Sequence, residues 1–250
     1  MLDTPKFEED RDPTTAKRVT TTSRLFDLML KKIETGEWSV GNPIPSERTL
    51  MEEFGVSRIA LREAMSMLRA MGVLEISHGR STTIRRINAE VIGRLFPLMM
   101  STEGERTLTD ILEVRIGLEA QTAYLAAKRR DESDIERMSQ LVQRYEIEFT
   151  QDTPESIETD QLFHVAIAKA SRNTLFNMLL SALAGFVKYA QRESGKASPE
   201  HRAQAIQAHR KILNAIKDGN AVLARDEMIA HLRSSFDHIL ANQQAGESSV

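Results

Sequence analysis

Cysteine is absent from the 250 residues, which excludes disulfides and thiolate metal sites and fits a cytoplasmic protein. Aromatic residues are scarce, at 5% of the chain against 41% hydrophobic residues in all, while methionine is plentiful at 11. That balance suits helices packed through aliphatic side chains. No apolar run approaches the roughly 18 residues of a membrane span. The opening stretch MLDTPKFEEDRDPTT is acidic and polar and lacks the apolar core of a signal peptide, so no membrane partner is expected. An excess of positive charge is missing too. The net charge is −3, which taken alone argues against nucleic acid as a partner. No internal repeat is found.

What is present is an uneven distribution of charge. Residues 1–15 carry two basic and five acidic side chains, residues 16–87 twelve and eight, and residues 88–250 nineteen and 23. A basic segment on an acidic body is expected when only one part of a chain meets a polyanion. A solvated surface with four excess charges reads the same way.

The periodicities divide the chain similarly. Residues 1–15 read as a disordered tail. From Thr20 to about Glu34, the residues Leu25, Leu28, Met29 and Ile33 recur at helical spacing, and Gly36 follows as a stop. Ser46 is a good N-cap for a short helix from Glu47 to Phe54, and Ser57 caps another from Arg58 to Met71, ended by Gly72. VLEIS and TTIRR read as two strands around a turn. Helix, helix, turn, helix and hairpin make a winged helix-turn-helix over residues 16–87. Beyond Ile87 the texture is helical to about Ala241, broken at Gly104, Asp131, Pro154, Asn173, Pro199 and Gly219. The expected fold is mainly α. A linker with a first helix (88–106) leads into an all-helical bundle of six or seven helices (107–243), and residues 244–250 form a frayed tail.

A helix-turn-helix sends the start of its second helix into the major groove. Here that helix opens SRIALREA, with Arg58 and Arg62 four apart on one face. Both can reach guanine O6 and N7 bidentately, Arg48 can reach phosphate or a base, and Ser46 and Ser57 offer hydroxyls and helix N-termini to phosphate oxygens. The expected core face is Ile59, Leu61, Met65 and Leu68. Surface arginines without a nucleic-acid role remain the alternative.

His209 lies ten residues before Gly219 and His231 twelve after it. In an antiparallel helix pair both then sit roughly 15–18 Å from the turn, at about 1.5 Å per residue, and level with each other. Asp160 and His164, at i and i+4, place a carboxylate and an imidazole on one helix face. One Asp and three His suit a single divalent metal such as Zn, Ni, Mn or Fe. Four scattered helical residues are the alternative, and His201 and His238 show no comparable partners. Arg115 has Ile111, Leu112 and Leu118 among its helical neighbours, so it faces inward and needs a partner. Glu119, one turn on, is one candidate.

The stretch IPSERTLMEEFGVSRIALREAMSMLRAMGVLEISHGRSTTI closely resembles the signature of the GntR-type winged helix regulators over about forty residues. The resemblance implies that Arg48, Arg58 and Arg62 touch double-stranded DNA and that the hairpin tip enters the minor groove. Many members carry Gly-Arg-Gly-Thr at that tip, whereas this chain reads HGRSTT. The His-Gly pair is similar to the wing of the fatty-acid regulator FadR and makes His78 and Gly79 the expected wing contacts. LEVRIGLEAQTAYLAA, DQLFHVAIAKASRNTLF and HRKILNAIKDGNAVLARDEMIAHL resemble the helical FCD domain of the FadR subgroup. Its metal-binding members use one Asp and three His at the places of Asp160, His164, His209 and His231. The same resemblance implies a small carboxylic acid as effector, bound by Arg115 near the metal, with Asn173 lining the pocket or capping a helix. Subgroup members are dimers, so a homodimer on an inverted repeat is expected. A purely structural metal is a further reading. So is a metal-dependent hydrolase, although no spare carboxylate for a general base stands beside the ligands.

Overall fold

Three helices at the N-terminal end each begin on a hydroxyl. In the computed structural model, which describes residues 20–76, 81–95, 98, 101–102, 106–193 and 198–247, α1 (Thr21–Glu34) starts from Thr20, α2 (Glu47–Phe54) from Ser46 and α3 (Arg58–Ala70) from Ser57. Each of these side chains accepts the backbone N–H three residues on. α2 ends at Gly55, whose left-handed φ of 64° turns the chain into α3 at a conformation most L-residues avoid.

The three helices and a hairpin enclose a small core. β1 (Leu74–Ile76) pairs antiparallel with β2 (Thr82–Ile84), Leu74 opposite Ile84. Their buried side chains meet Leu25 and Met29 of α1, Leu50 of α2 and Leu61, Ala64, Met65 and Leu68 of α3. Trp38 and Ile44 from the connecting loop complete the cluster. That loop also adds an edge to the hairpin, because Ile44 N–H donates to the Thr82 carbonyl at 2.9 Å and Ile84 N–H to that of Asn42 at 3.2 Å. This is the expected winged helix-turn-helix, with one correction. Ile59 is 73% exposed rather than in the core. Leu61, Met65 and Leu68 follow the helical repeat, and a residue two before Leu61 falls on the opposite face. The expected wing contacts His78 and Gly79, like residues 1–15 and the break at Gly104, lie outside the described residues.

The chain divides after Ile87 into two compact units. Among the described residues the second holds only helices: α4 (Ala89–Gly93), α5 (Arg106–Arg129), α6 (Glu132–Thr150), α7 (Glu155–Ala170), α8 (Thr174–Glu193), α9 (Pro199–Lys217) and α10 (Ala221–Glu247). The breaks fall where the stop signals lie. Asp131 and Asp134 form a capping box on α6. Ser198 caps α9 with Pro199 in its first turn, and Gly219 turns α9 into α10 at φ 73°. Arg130 closes that turn by donating to the Lys217 carbonyl at 2.9 Å. Within the stretch expected as a linker, α4 packs on α8. A Cβ at Gly93 would stand 3.2 Å from the Ala182 carbonyl oxygen. α10 runs through Glu247, past the expected end near Ala241. α5 lies along α10, α9 pairs with α10, and α7 packs against α6 and α8. Phe163, Ile167, Ile212, Ile216 and Met228 are fully buried at the centre, each worth about 1.5–3 kcal/mol of apolar burial.

Candidate metal centre and nucleic-acid interface

Three helices deliver the four expected ligands to one point. α7 supplies Asp160 and His164 from successive turns, while the α9–α10 hairpin brings His209 and His231 level across its seam. One ligand atom from each lies within 4.8 Å of all the others, and all four residues are buried. His209 Nε2 stands 3.2 Å from His231 Nε2, and His231 Nε2 stands 3.3 Å from His164 Nε2. Asp160 Oδ1 is 3.2 Å from His209 Nε2 and 3.7 Å from His164 Nε2.

The donor set fits a divalent transition metal. Three imidazole nitrogens facing one another make poor hydrogen-bond partners, because at least one pair must oppose like groups. They make good ligands. At a zinc–nitrogen distance of about 2.0–2.1 Å, neighbouring ligand atoms of a tetrahedral site stand about 3.3–3.4 Å apart, close to the separations seen here. The protonation states of three of the four suit the role. Burial, with the nearby His209 and His164, pushes His231 well below its ordinary value. Burial also lowers His209 despite Asp160. For Asp160, burial acts upward, but the attraction of His164 and His209 outweighs it and holds the carboxyl well below the usual range. His164 differs: burial acts against its charge, yet Glu119 and Asp160 raise it to about 9.

A second layer holds this cluster. Asp160 turns its other oxygen, Oδ2, to the side-chain amides of Gln161 at 2.8 Å and Gln191 at 3.1 Å. The rings of Tyr145 and Phe163 cover His209 at 4.5 and 4.6 Å. Glu119 on α5 bridges His164 Nδ1 and Arg115 Nε, so a carboxylate does stand beside the ligands, contrary to the expectation from sequence. Arg115 is indeed buried and takes the Glu119 ion pair, with its guanidinium 5.8 Å from the Phe236 ring centre. Asn173 caps α8, its Oδ1 accepting the N–H groups of Leu175 and Phe176 at 3.0 and 3.3 Å. A cleft of about 440 Å³ runs along the α9–α10 seam and reaches His231, past Gln204, Gln207, Lys211, Ser234 and Ser235. His201 and His238, left without partners in the sequence reading, stack on each other with ring centres 3.9 Å apart.

In the first unit, Ser46 and Ser57 are spent as helix caps, as their positions suggested. Arg58 is exposed at the start of α3. Arg62 is exposed but steadied by Glu47, whose carboxylate takes its Nε at 3.2 Å. Arg48 projects into solvent, 3.8 Å from Glu52. The Glu47–Arg62 contact links the start of α2 to α3. Ile59 is exposed beside Arg58.

Comparison with known proteins agrees with both halves. The model of the family described as bacterial regulatory proteins, gntR family, matches residues 21–84, and that of the FCD domain matches residues 110–234. The chain is 34% identical to the HTH-type transcriptional regulator LutR of Bacillus subtilis, covering 82% of this chain and 94% of that one. It is 34% identical to an Escherichia coli protein named for regulation of an L-lactate dehydrogenase operon, over 85% and 83% of the two chains. The solved structure of Streptococcus agalactiae GntR matches with a TM-score of 0.68 at 28% identity, over 86% of this chain and 98% of that one.

Proposed function

The chain belongs to the GntR family of bacterial regulatory proteins, and on that premise we propose that its helical unit is a sensor, in which a divalent metal and a small carboxylic acid set the affinity of the winged unit for DNA. The protein is a DNA-binding transcriptional regulator with an FCD domain, not an enzyme, which removes the hydrolase reading. The observation that carries the sensor reading is the buried convergence of Asp160, His164, His209 and His231 on one point from three helices. When bound, a metal there supplies a Lewis-acidic position for a carboxylate oxygen. Arg115 is the neighbouring cation. Glu119 takes its Nε, and the Nη groups of the guanidinium are the donors left for an acid. Asn173 is left out, since its side chain caps α8. A relative named for an L-lactate dehydrogenase operon supports a small hydroxy acid as the first probe. Zinc, nickel, manganese and iron all suit the donors. Metal analysis of the purified chain, followed by titration of L-lactate and related acids with and without a chelator, tests the reading. Acid binding that survives metal removal assigns the metal a structural role instead.

Arg58, Arg62 and Arg48 carry the DNA contact in this reading, with His78 and Gly79 at the wing. Arg58→Ala and Arg62→Ala are each expected to cost about 1–3 kcal/mol on a site selected from a random pool, and far less on unrelated DNA. Fluorescence anisotropy on both DNAs checks this. Equal losses on the two would reduce the arginines to phosphate contacts.

One winged unit offers few base contacts, so the regulator acts in the cytoplasm as a homodimer on an inverted repeat. Sedimentation at micromolar concentration is expected to show a dimer. A monomer that binds a single half-site tightly contradicts it.

A further inference from the structure

We infer that Glu119 is the positioning residue of the metal centre, fixing His164 with Nε2 toward the other ligands, and that Arg115 holds Glu119 for that task. The inference rests on the metal reading above. Glu119 is 1% exposed and comes from α5, a helix that supplies no ligand. Its Oε2 faces His164 Nδ1 and its Oε1 takes Arg115 Nε. A buried carboxylate is costly unless paired, so this one is kept in place by its two partners. An imidazole that donates Nδ1–H to a carboxylate presents a bare, more basic Nε2 on its far side, the arrangement that orients histidine ligands of metals. His164 Nε2 does point away from Glu119, to within 3.3 Å of His231 Nε2. His209 differs: among the described residues its carboxylate contact is made through Nε2, to Asp160 at 3.2 Å. The family resemblance assigns Arg115 to the effector. The geometry gives it a prior duty, one helical turn from Glu119.

The chemistry sets a specific test. A carboxylate accepts at both ends, from Arg115 and from His164. The amide of Glu119→Gln accepts at only one. If its oxygen stays on Arg115, its NH2 meets His164 Nδ1 and forces the proton to Nε2, where it blocks coordination. E119Q is therefore expected to weaken Zn2+ binding 10–100-fold, although it is isosteric. Adding Arg115→Met removes the competing donor, frees the amide oxygen to turn to His164 and restores part of the affinity in the double variant. Zn2+ affinity is measured on the full-length metal-free chain by competition with a chelator, and Co2+ visible spectra report the ligand field of each variant. Wild-type affinity and spectrum in E119Q, or no recovery in the double variant, overturns the role of Glu119 while leaving the metal site standing. A wild-type chain that takes up no Zn2+ at all overturns both.

Discussion

Zinc at about a thousand times its dissociation constant is expected to stabilise the wild-type helical unit by about 4 kcal/mol, and His231→Ala by nothing. For a unit of this size, about 2–4 °C per kcal/mol makes that a rise of about 8–16 °C in melting temperature. His231 is the sharpest choice among the four ligands. Burial and its neighbours keep it neutral, so its lone pair is available, and its Nε2 lies close to those of both other histidines. Its loss leaves the Glu119–His164–Asp160 contacts intact. Thermal melts of both chains, with zinc and with a chelator, check the prediction. An equal rise in the variant would mean that zinc is held elsewhere.

Phe163→Ala is expected to cost about 3–5 kcal/mol of stability, with or without metal. The ring is fully buried and lies between two ligands, 4.6 Å from the His209 ring and edge-on to His164 at 5.8 Å. Its removal opens a cavity that α7, tied to α6 and α8 on both sides, cannot close by shifting. At about 2–4 °C per kcal/mol the melting temperature falls by about 6–20 °C. Arg58→Ala, on the exposed face of α3, changes stability by less than about 0.5 kcal/mol. Denaturant titration of both variants separates the two. A Phe163→Ala loss below about 1 kcal/mol would place that side chain outside the core.

The four ligands of one centre were legible as two pairs by helical geometry, and the family resemblance joined the pairs. Asp160 and His164 share a face at one turn's spacing, and the distances from Gly219 bring His209 and His231 level. The same rule applied once more would have paired His201 with His238, eighteen residues before that glycine and nineteen after it. Ile59 was misplaced although the period that buries Leu61, Met65 and Leu68 already turns it outward. Glu119 as partner of Arg115 was readable one turn along α5, but its contact with His164 was not, since 45 residues separate them and only packing of α5 against α7 joins them. Gln191, on α8, escaped for the same reason. The cap duty of Asn173 depends on which way one amide turns, which spacing does not decide. The loop edge at Asn42–Ile44 was hidden by its prolines, which speak against strand.

The central claim is that metal and acid together govern DNA affinity. An effector shifts that affinity only by binding DNA-competent and incompetent forms unequally, and such couplings are typically about 1–3 kcal/mol, or roughly 5–150-fold. The direct measurement is DNA affinity against acid concentration for zinc-loaded wild type, chelator-treated wild type and His231→Ala, on a selected operator with a panel of small carboxylic acids. The account predicts a shift within that range for the loaded wild type alone, with the other two still binding DNA but indifferent to the acid. A full response to the acid in His231→Ala would contradict it.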